Sequence, residues 1–159
     1  MQISFATGQE AAKPEKLFLP DAEILFYPGF LETSEADSNF IQLVHETPWR
    51  HDSLKFAGKI VPVPRLQAWY GNKRSNYGYS GLALNPLPWT PLLTNLKEKV
   101  ADCCQTEFNS VLLNYYRDGN DSVAWHSDDE NELGDKPIIA SLSLGTTRRF
   151  DLKHLNKKL

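Results

Sequence analysis

The chain has 159 residues, 41% hydrophobic and 23% charged, with a formal net charge of −3, which fits one globular domain with its own core. No apolar run approaches the roughly 20 residues of a membrane span, and the opening MQISFATGQEAAKPEK lacks the basic start and apolar stretch of a secretory signal, so a nuclear or cytoplasmic location is expected, with no membrane partner. A negative chain does not hold nucleic acid by overall charge; such a role would rest on local clusters, namely Lys55, Lys59, Arg65, Lys73 and Arg74, and Arg148, Arg149, Lys153, Lys157 and Lys158, for which a solvated surface is the simpler account.

In chain order, residues 1–16 are polar and aperiodic and are expected to form a flexible N-terminal arm, with a single domain over 17–159. AEILFYPGFL alternates and is rich in aromatics, which predicts a strand ending at Pro28–Gly29. TSEADSNFIQLVHET predicts a helix capped by Thr33 or Ser34, with Phe40, Leu43 and Val44 on its core face. SLKFAGKIVPVPR reads as a hairpin with Ala57–Gly58 at its tip, and RLQAWYG as a further strand. TPLLTNLKEKVADCCQ predicts a helix with Thr90 as cap, Pro91 in the first turn, and Leu92, Leu93, Leu96 and Val100 along one face. Its adjacent Cys103 and Cys104 lack zinc-motif spacing and are expected to stay reduced. NSVLLNYYRDG predicts a strand and turn, and KPIIASLSLGTTRRFDLKH two strands around Gly145. Helices early and strands late suggest an α+β fold with an antiparallel sheet or jelly roll.

The segment DSVAWHSDDE carries the sharpest chemical signal. In extended chain, residues i and i+2 face the same way, so His126 and Asp128 could aim an imidazole and a carboxylate at one point. Such a pair is two-thirds of the 2-His-1-carboxylate site of non-haem Fe(II) oxygenases. With four histidines in the chain, the pair alone is weak, and a loop histidine satisfied by its neighbours is the simpler account. By the same rule Asn114 and Tyr116 share a face of the preceding strand, where an amide and a phenol could hydrogen-bond a carboxylate ligand or, more simply, each other.

Taken together, FNSVLLNYYRDGNDSVAWHSDDE and PIIASLSLGTTRRFDL, with VPRLQAWYG and YGYSGLALNPLPWTPLL before them, resemble the AlkB family of Fe(II)/2-oxoglutarate dioxygenases, and its DNA-repair branch in particular. The N-x-Y, H-x-D-D-E and S-L-S-L-G-x-x-R elements occur in order from about residue 20 onward. The resemblance implies a double-stranded β-helix (jelly roll) with supporting N-terminal helices, and a monomer acting on alkylated DNA, with RNA as the alternative. It implies Fe(II) held by His126 and Asp128, and 2-oxoglutarate held by Asn114 and Tyr116. It implies that Tyr77, Gly78 and Tyr79 border a flipped base, that Asp129 and Glu130 lie beside the base pocket with Arg65 at its edge, and that Ala57, Gly58 and Lys59 form the hairpin tip that probes the duplex.

Physical chemistry makes those roles reasonable. A methyl group on a base nitrogen is hidden inside a duplex, so the base must leave the stack. Aromatic faces can then hold it, and acids favour the cationic N1-methyladenine and N3-methylcytosine over undamaged bases. For the two tyrosines the plainer alternative is a pair of core aromatics, and for the two acids a solvated turn. The implied reaction is oxidative demethylation, releasing formaldehyde. The family pattern also asks for a second histidine and two arginines further along. His154 falls too soon to be that histidine, and Arg148 and Arg149 match the G-x-x-R element instead. The sheet is therefore expected to be incomplete at its C-terminus and the chain inactive by itself; the competing reading is a non-catalytic remnant that binds nucleic acid or a partner.

Overall fold

The structure, a computed structural model, describes residues 13–56, 58–72, 77–79, 82–84, 86–128, 134 and 136–154. It falls into two compact units, residues 42–142 and residues 1–41 with 143–159.

The larger unit is built around one antiparallel strand pair. Strand β5 (Leu66–Gly71) lies against β8 (Ser110–Tyr115), with Gln67 opposite Asn114 and Tyr70 opposite Val111. Opposite residues of an antiparallel pair share a face, so alternate positions divide the work. Ala68 and Tyr70 enter the core with Leu93, and Leu43, Trp49, Leu87, Trp89, Val111 and Leu113 pack around them. On the other face Gln67 is also buried. β5 thus has both faces covered, which suits its near-continuous apolar run. Further bridges pin the strand: Arg50 exchanges two 2.9 Å backbone hydrogen bonds with Gln67, and Leu87 bridges to Tyr70.

Helix α2 (Pro91–Cys104) closes the core as its sequence predicts. The Thr90 hydroxyl accepts from the Leu93 N–H at 3.2 Å, Pro91 follows, and Leu93 and Leu96 are the buried positions. Gln105 ends the helix in the left-handed region, and burial pushes the Cys104 thiol up, helped by neighbouring Cys103. Both cysteines are free thiols. Strands β3 (Ser53–Phe56) and β4 (Lys59–Pro62) form the expected hairpin. Phe56 pairs with Lys59, and Gly58 takes φ +79°, a value glycine adopts without strain. A second short hairpin, β6 (Tyr77–Tyr79) with β7 (Leu82–Leu84), is one the sequence reading did not anticipate.

In the smaller unit, strands β1 (Glu15–Leu19) and β2 (Ala22–Phe26) pair tightly, so Glu15 and Lys16 belong to a strand and not to a loose arm. Helix α1 (Thr33–Glu46) begins one position earlier than its capping pattern suggests and continues into the larger unit. The Glu32 carbonyl accepts from Ala36, which makes Glu32 the capping position and puts Thr33 and Ser34 inside the helix. Asn39, not an apolar residue, is its buried position. Gly145, at φ +79°, lies where an added Cβ would meet the Phe40 ring at 3.1 Å.

The two strands expected around Gly145 do not form among the described residues of 136–154. Extended chain becomes a strand only when another segment takes up its N–H and C=O groups in a ladder; none of the described residues from 136 to 154 belongs to a strand, and Ile138, Ile139, Phe150 and Leu152 stay exposed. The strands that are described form four two-stranded antiparallel sheets. The α+β mixture is therefore as expected, whereas a jelly-roll barrel is not formed by the described strands. No helix among the described residues is long and apolar enough to cross a membrane.

Candidate active site

Three fastenings carry the chain from β8 to His126. At the first turn beyond the strand, Asp121 accepts three hydrogen bonds from Arg117: from the backbone N–H at 2.9 Å, from Nε at 2.7 Å and from Nη2 at 2.8 Å. The Asp121 side chain is buried, and the bonds from Arg117, side chain first and backbone second, hold its carboxyl well below the usual carboxylate range. Next, Ser122 is bound on both sides. Its N–H donates to the Pro64 carbonyl at 2.8 Å, and its own carbonyl accepts from Arg65 Nη1 at 3.3 Å. Finally, His126 Nδ1 donates to the Ala124 carbonyl at 2.9 Å.

That last bond selects the chemistry of the ring. With the proton on Nδ1, a neutral imidazole presents the lone pair of Nε2. Nε2 lies 3.6 Å from Asp128 Oδ1, and the two side chains are 45% and 43% exposed. The separation is too long for a hydrogen bond. It fits two ligands of one cation, since bonds of about 2.1 Å at 90–120° set ligand atoms roughly 3.0–3.6 Å apart. The i, i+2 pattern thus does bring imidazole and carboxylate together. Among the described residues no cluster of three or more His, Cys, Asp or Glu completes a metal site.

Asn114 faces its cross-strand partner. Its Oδ1 accepts from Gln67 Nε2 at 2.9 Å and from Arg65 Nε at 2.8 Å. The alternative in which Asn114 and Tyr116 satisfy each other is not what the strand does. Tyr115, on the opposite face, packs against Trp49 with ring centroids 5.3 Å apart.

Of the other residues singled out from sequence, Arg65 is 4% exposed, so it is no part of a surface basic cluster. It lies beneath Asn114 and ties that residue to Ser122. Lys59 is exposed beside Gly58 at the hairpin tip. Tyr77, Gly78 and Tyr79 form β6. Ala57, Asp129 and Glu130 lie outside the described residues. His154 pairs with Asp21 at 3.1 Å within the smaller unit. Two contributors went unnoticed in the sequence, Gln67 and Asp121. Asp121 was detectable as the i+4 partner of Arg117, whereas Gln67 becomes visible only once the strand register is known.

Residues 23–158 match the sequence model of the 2OG-Fe(II) oxygenase superfamily. Over 133 residues the chain is 44% identical to alpha-ketoglutarate-dependent dioxygenase alkB homolog 3 of Mus musculus, covering 83% of this chain and 46% of that protein. The Homo sapiens counterpart is 43% identical over the same shares. DNA oxidative demethylase ALKBH2 of Mus musculus is 39% identical over 135 residues, 83% of this chain and 56% of that protein. The chain spans about half the length of the curated relatives it matches.

Proposed function

This chain belongs to the 2OG-Fe(II) oxygenase superfamily, and from that membership we propose that it serves the oxidative demethylation of N1-methyladenine and N3-methylcytosine in DNA. The observation that carries the reading is the approach of His126 Nε2 to Asp128 Oδ1, at 3.6 Å, on a segment that Arg65 ties to Asn114. His126 and Asp128 would hold Fe(II), and Asn114 and Tyr116 would hold 2-oxoglutarate. Iron with 2-oxoglutarate and dioxygen supplies the oxidation of the N-methyl carbon, giving succinate, carbon dioxide, formaldehyde and the repaired base. The chain's own residues position and select. The Nδ1–H bond to Ala124 keeps Nε2 turned outward as a ligand. Tyr77 and Tyr79 would border the extruded base, Asp129 and Glu130 would favour a cationic one, and Lys59 would reach a phosphate without reading sequence. The working fold is the superfamily's jelly roll, with β5 and β8 as two of its strands, acting as a monomer.

The test compares release of formaldehyde and succinate by the full-length gene product on methylated DNA and RNA oligonucleotides. Turnover should fall to the metal-free level in His126→Ala and in Asp128→Ala; wild-type turnover in either at saturating Fe(II) would remove the ligand assignment. The β3–β4 hairpin sets a second expectation. In sequence, Ala57 and Gly58 are small and only Phe56 beside them is bulky enough to act as a wedge, and holding a base out of an intact duplex costs about a few kcal/mol that single strands escape. Single-stranded substrate should be preferred, and Phe56→Ala should widen that preference at fixed salt. Equal losses on both substrates would make the hairpin an ordinary turn.

A further inference from the structure

Arg65 settles which way round the Asn114 carboxamide sits. A guanidinium has five N–H donors, no acceptor, and no accessible neutral form. The Asn114 atom 2.8 Å from Arg65 Nε must therefore be the oxygen. The atom of Gln67 that faces the same oxygen at 2.9 Å must in turn be its NH2. An amide oxygen has two lone pairs, and both are now taken by Arg65 and Gln67. Turning the Asn114 amide over would set its NH2 against the Arg65 donor and break that bond, and Gln67 could keep its own bond only by turning over as well. Asn114 is left as a group that can only donate, through Nδ2, and it is itself an exposed residue beside the buried Gln67.

The two donors are themselves held. Gln67 is 6% exposed and Arg65 4%. The Gln67 backbone is fixed on one side by its exchange with Arg50 and on the other by β8, where it lies directly opposite Asn114. No carboxylate among the described residues pairs with Arg65. A buried positive charge behind a donor-only amide favours one class of ligand, an anion with oxygen acceptors. A ligand offering N–H or O–H donors cannot use the Asn114 oxygen, whose lone pairs are already taken.

We propose that Gln67, together with Arg65, is a positioning residue that locks the Asn114 amide as a donor toward the carboxylate or keto oxygen of a 2-oxo acid. The proposal rests on the reading of Asn114 as a 2-oxoglutarate contact and adds to it the residue that, beside Arg65, holds its orientation. Gln67→Leu removes one of the two locks; Gln67→Glu replaces a donor with a charged acceptor that competes for Asn114 Nδ2 and for Arg65.

In the full-length protein loaded with Mn(II), titration calorimetry with 2-oxoglutarate should show binding several-fold weaker in Gln67→Leu. In Gln67→Glu it should be weaker by roughly tenfold or more, about one hydrogen bond's worth. Mn(II) affinity should be unchanged in both. Under turnover with Fe(II), KM for 2-oxoglutarate should rise while kcat holds in Gln67→Leu. Asn114→Ala serves as the reference. If it weakens 2-oxoglutarate binding while both Gln67 variants bind as wild type, Gln67 is structural and the proposal falls alone. If Asn114→Ala also binds as wild type, the reading of Asn114 falls with it. Should the variants fail to fold, the wild-type side-chain amide spectrum decides. The Gln67 NH2 should exchange slowly with water, and 2-oxoglutarate should shift one Asn114 Nδ2 proton; fast Gln67 exchange overturns the lock.

Discussion

Asn114 rests on a paired strand whose supporting side chains, Gln67 and Arg65, are 6% and 4% exposed. His126 and Asp128 rest on an extended segment without strand pairing, and their side chains are nearly half exposed. The contrast separates two jobs that active sites usually merge. The Asn114 side takes its shape from the core, because the strand that carries it also carries the apolar residues packed around Ala68 and Tyr70. The His126 side takes its shape from two local contacts, His126 with Ala124 and Arg117 with Asp121, and from a single distant tie, Ser122 to Pro64 and Arg65. Changes at His126 and Asp128 should therefore remove function and spare stability, and changes in the β5–β8–α2 core should do the reverse.

The largest effect expected is on turnover. His126→Ala or Asp128→Ala should bring demethylation down to the metal-free level while leaving the metal-free protein's unfolding midpoint unchanged, as followed by circular dichroism. A clear fall in that midpoint would break the contrast, because it would make the segment part of the folding core.

Leu93, 4% exposed at the centre of the cluster, is the matching test on the other side. Leu93→Ala should lower unfolding free energy by about 2–5 kcal/mol, from lost transfer energy and the cavity left behind. Measured by urea denaturation, a loss below about 1 kcal/mol would mean that the cavity collapses and the core is less tightly packed than its burial suggests.

Asp121 stands between the two regions. Its folded pKa lies below the value of about 3.9 for an unperturbed Asp, held there by Arg117. A lowered folded pKa means that the unfolded state binds a proton first as pH falls, so the carboxylate stabilises the fold above about pH 4 and ceases to do so below it. Asp121→Asn should therefore reduce the melting temperature at pH 7, and the gap from wild type should close as pH drops from about 4 toward 2. A gap independent of pH would assign the effect to shape instead of charge.

The smallest effect sharpens the boundary of the core. Thr90→Ala removes the hydroxyl that accepts from Leu93 and should cost about 1 kcal/mol, with no change in demethylation once the protein is folded. A change in KM for 2-oxoglutarate would show that α2 communicates with the Asn114 side.

What was readable in advance follows the range of the interactions involved. Helix α2 was legible with its cap and its buried face, because Thr90, Pro91 and the spacing of Leu93 and Leu96 act within one or two turns. The β3–β4 hairpin was legible because a tight turn determines its own pairing. Helix α1 was legible as an element but not in its first residue, since the helix opens with the bond from the Ala36 N–H to the Glu32 carbonyl, which any residue could supply. The strands expected around Gly145 failed for the opposite reason. Alternating β-branched and apolar residues favour extended chain, but pairing depends on an edge that the segment does not contain. The short hairpin of β6 and β7 was hidden by its length, three residues a side.

The sequence by itself determined that the chain is an α+β member of an iron and 2-oxoglutarate superfamily, through N-x-Y, H-x-D and S-L-S-L-G-x-x-R in order. It also determined that His126 and Asp128 would face together, because the two-residue period of extended chain is a local property. Tertiary structure alone decided that Arg65 is buried, that Gln67 stands opposite Asn114, and that together they leave the asparagine only its donor side. Residues 65 and 67 lie nearly fifty positions before 114, and no local pattern sets the register between two strands so far apart. That register comes from the packing of Ala68, Tyr70, Val111 and Leu113 on the other face, where a slip of one residue would turn the whole apolar set outward.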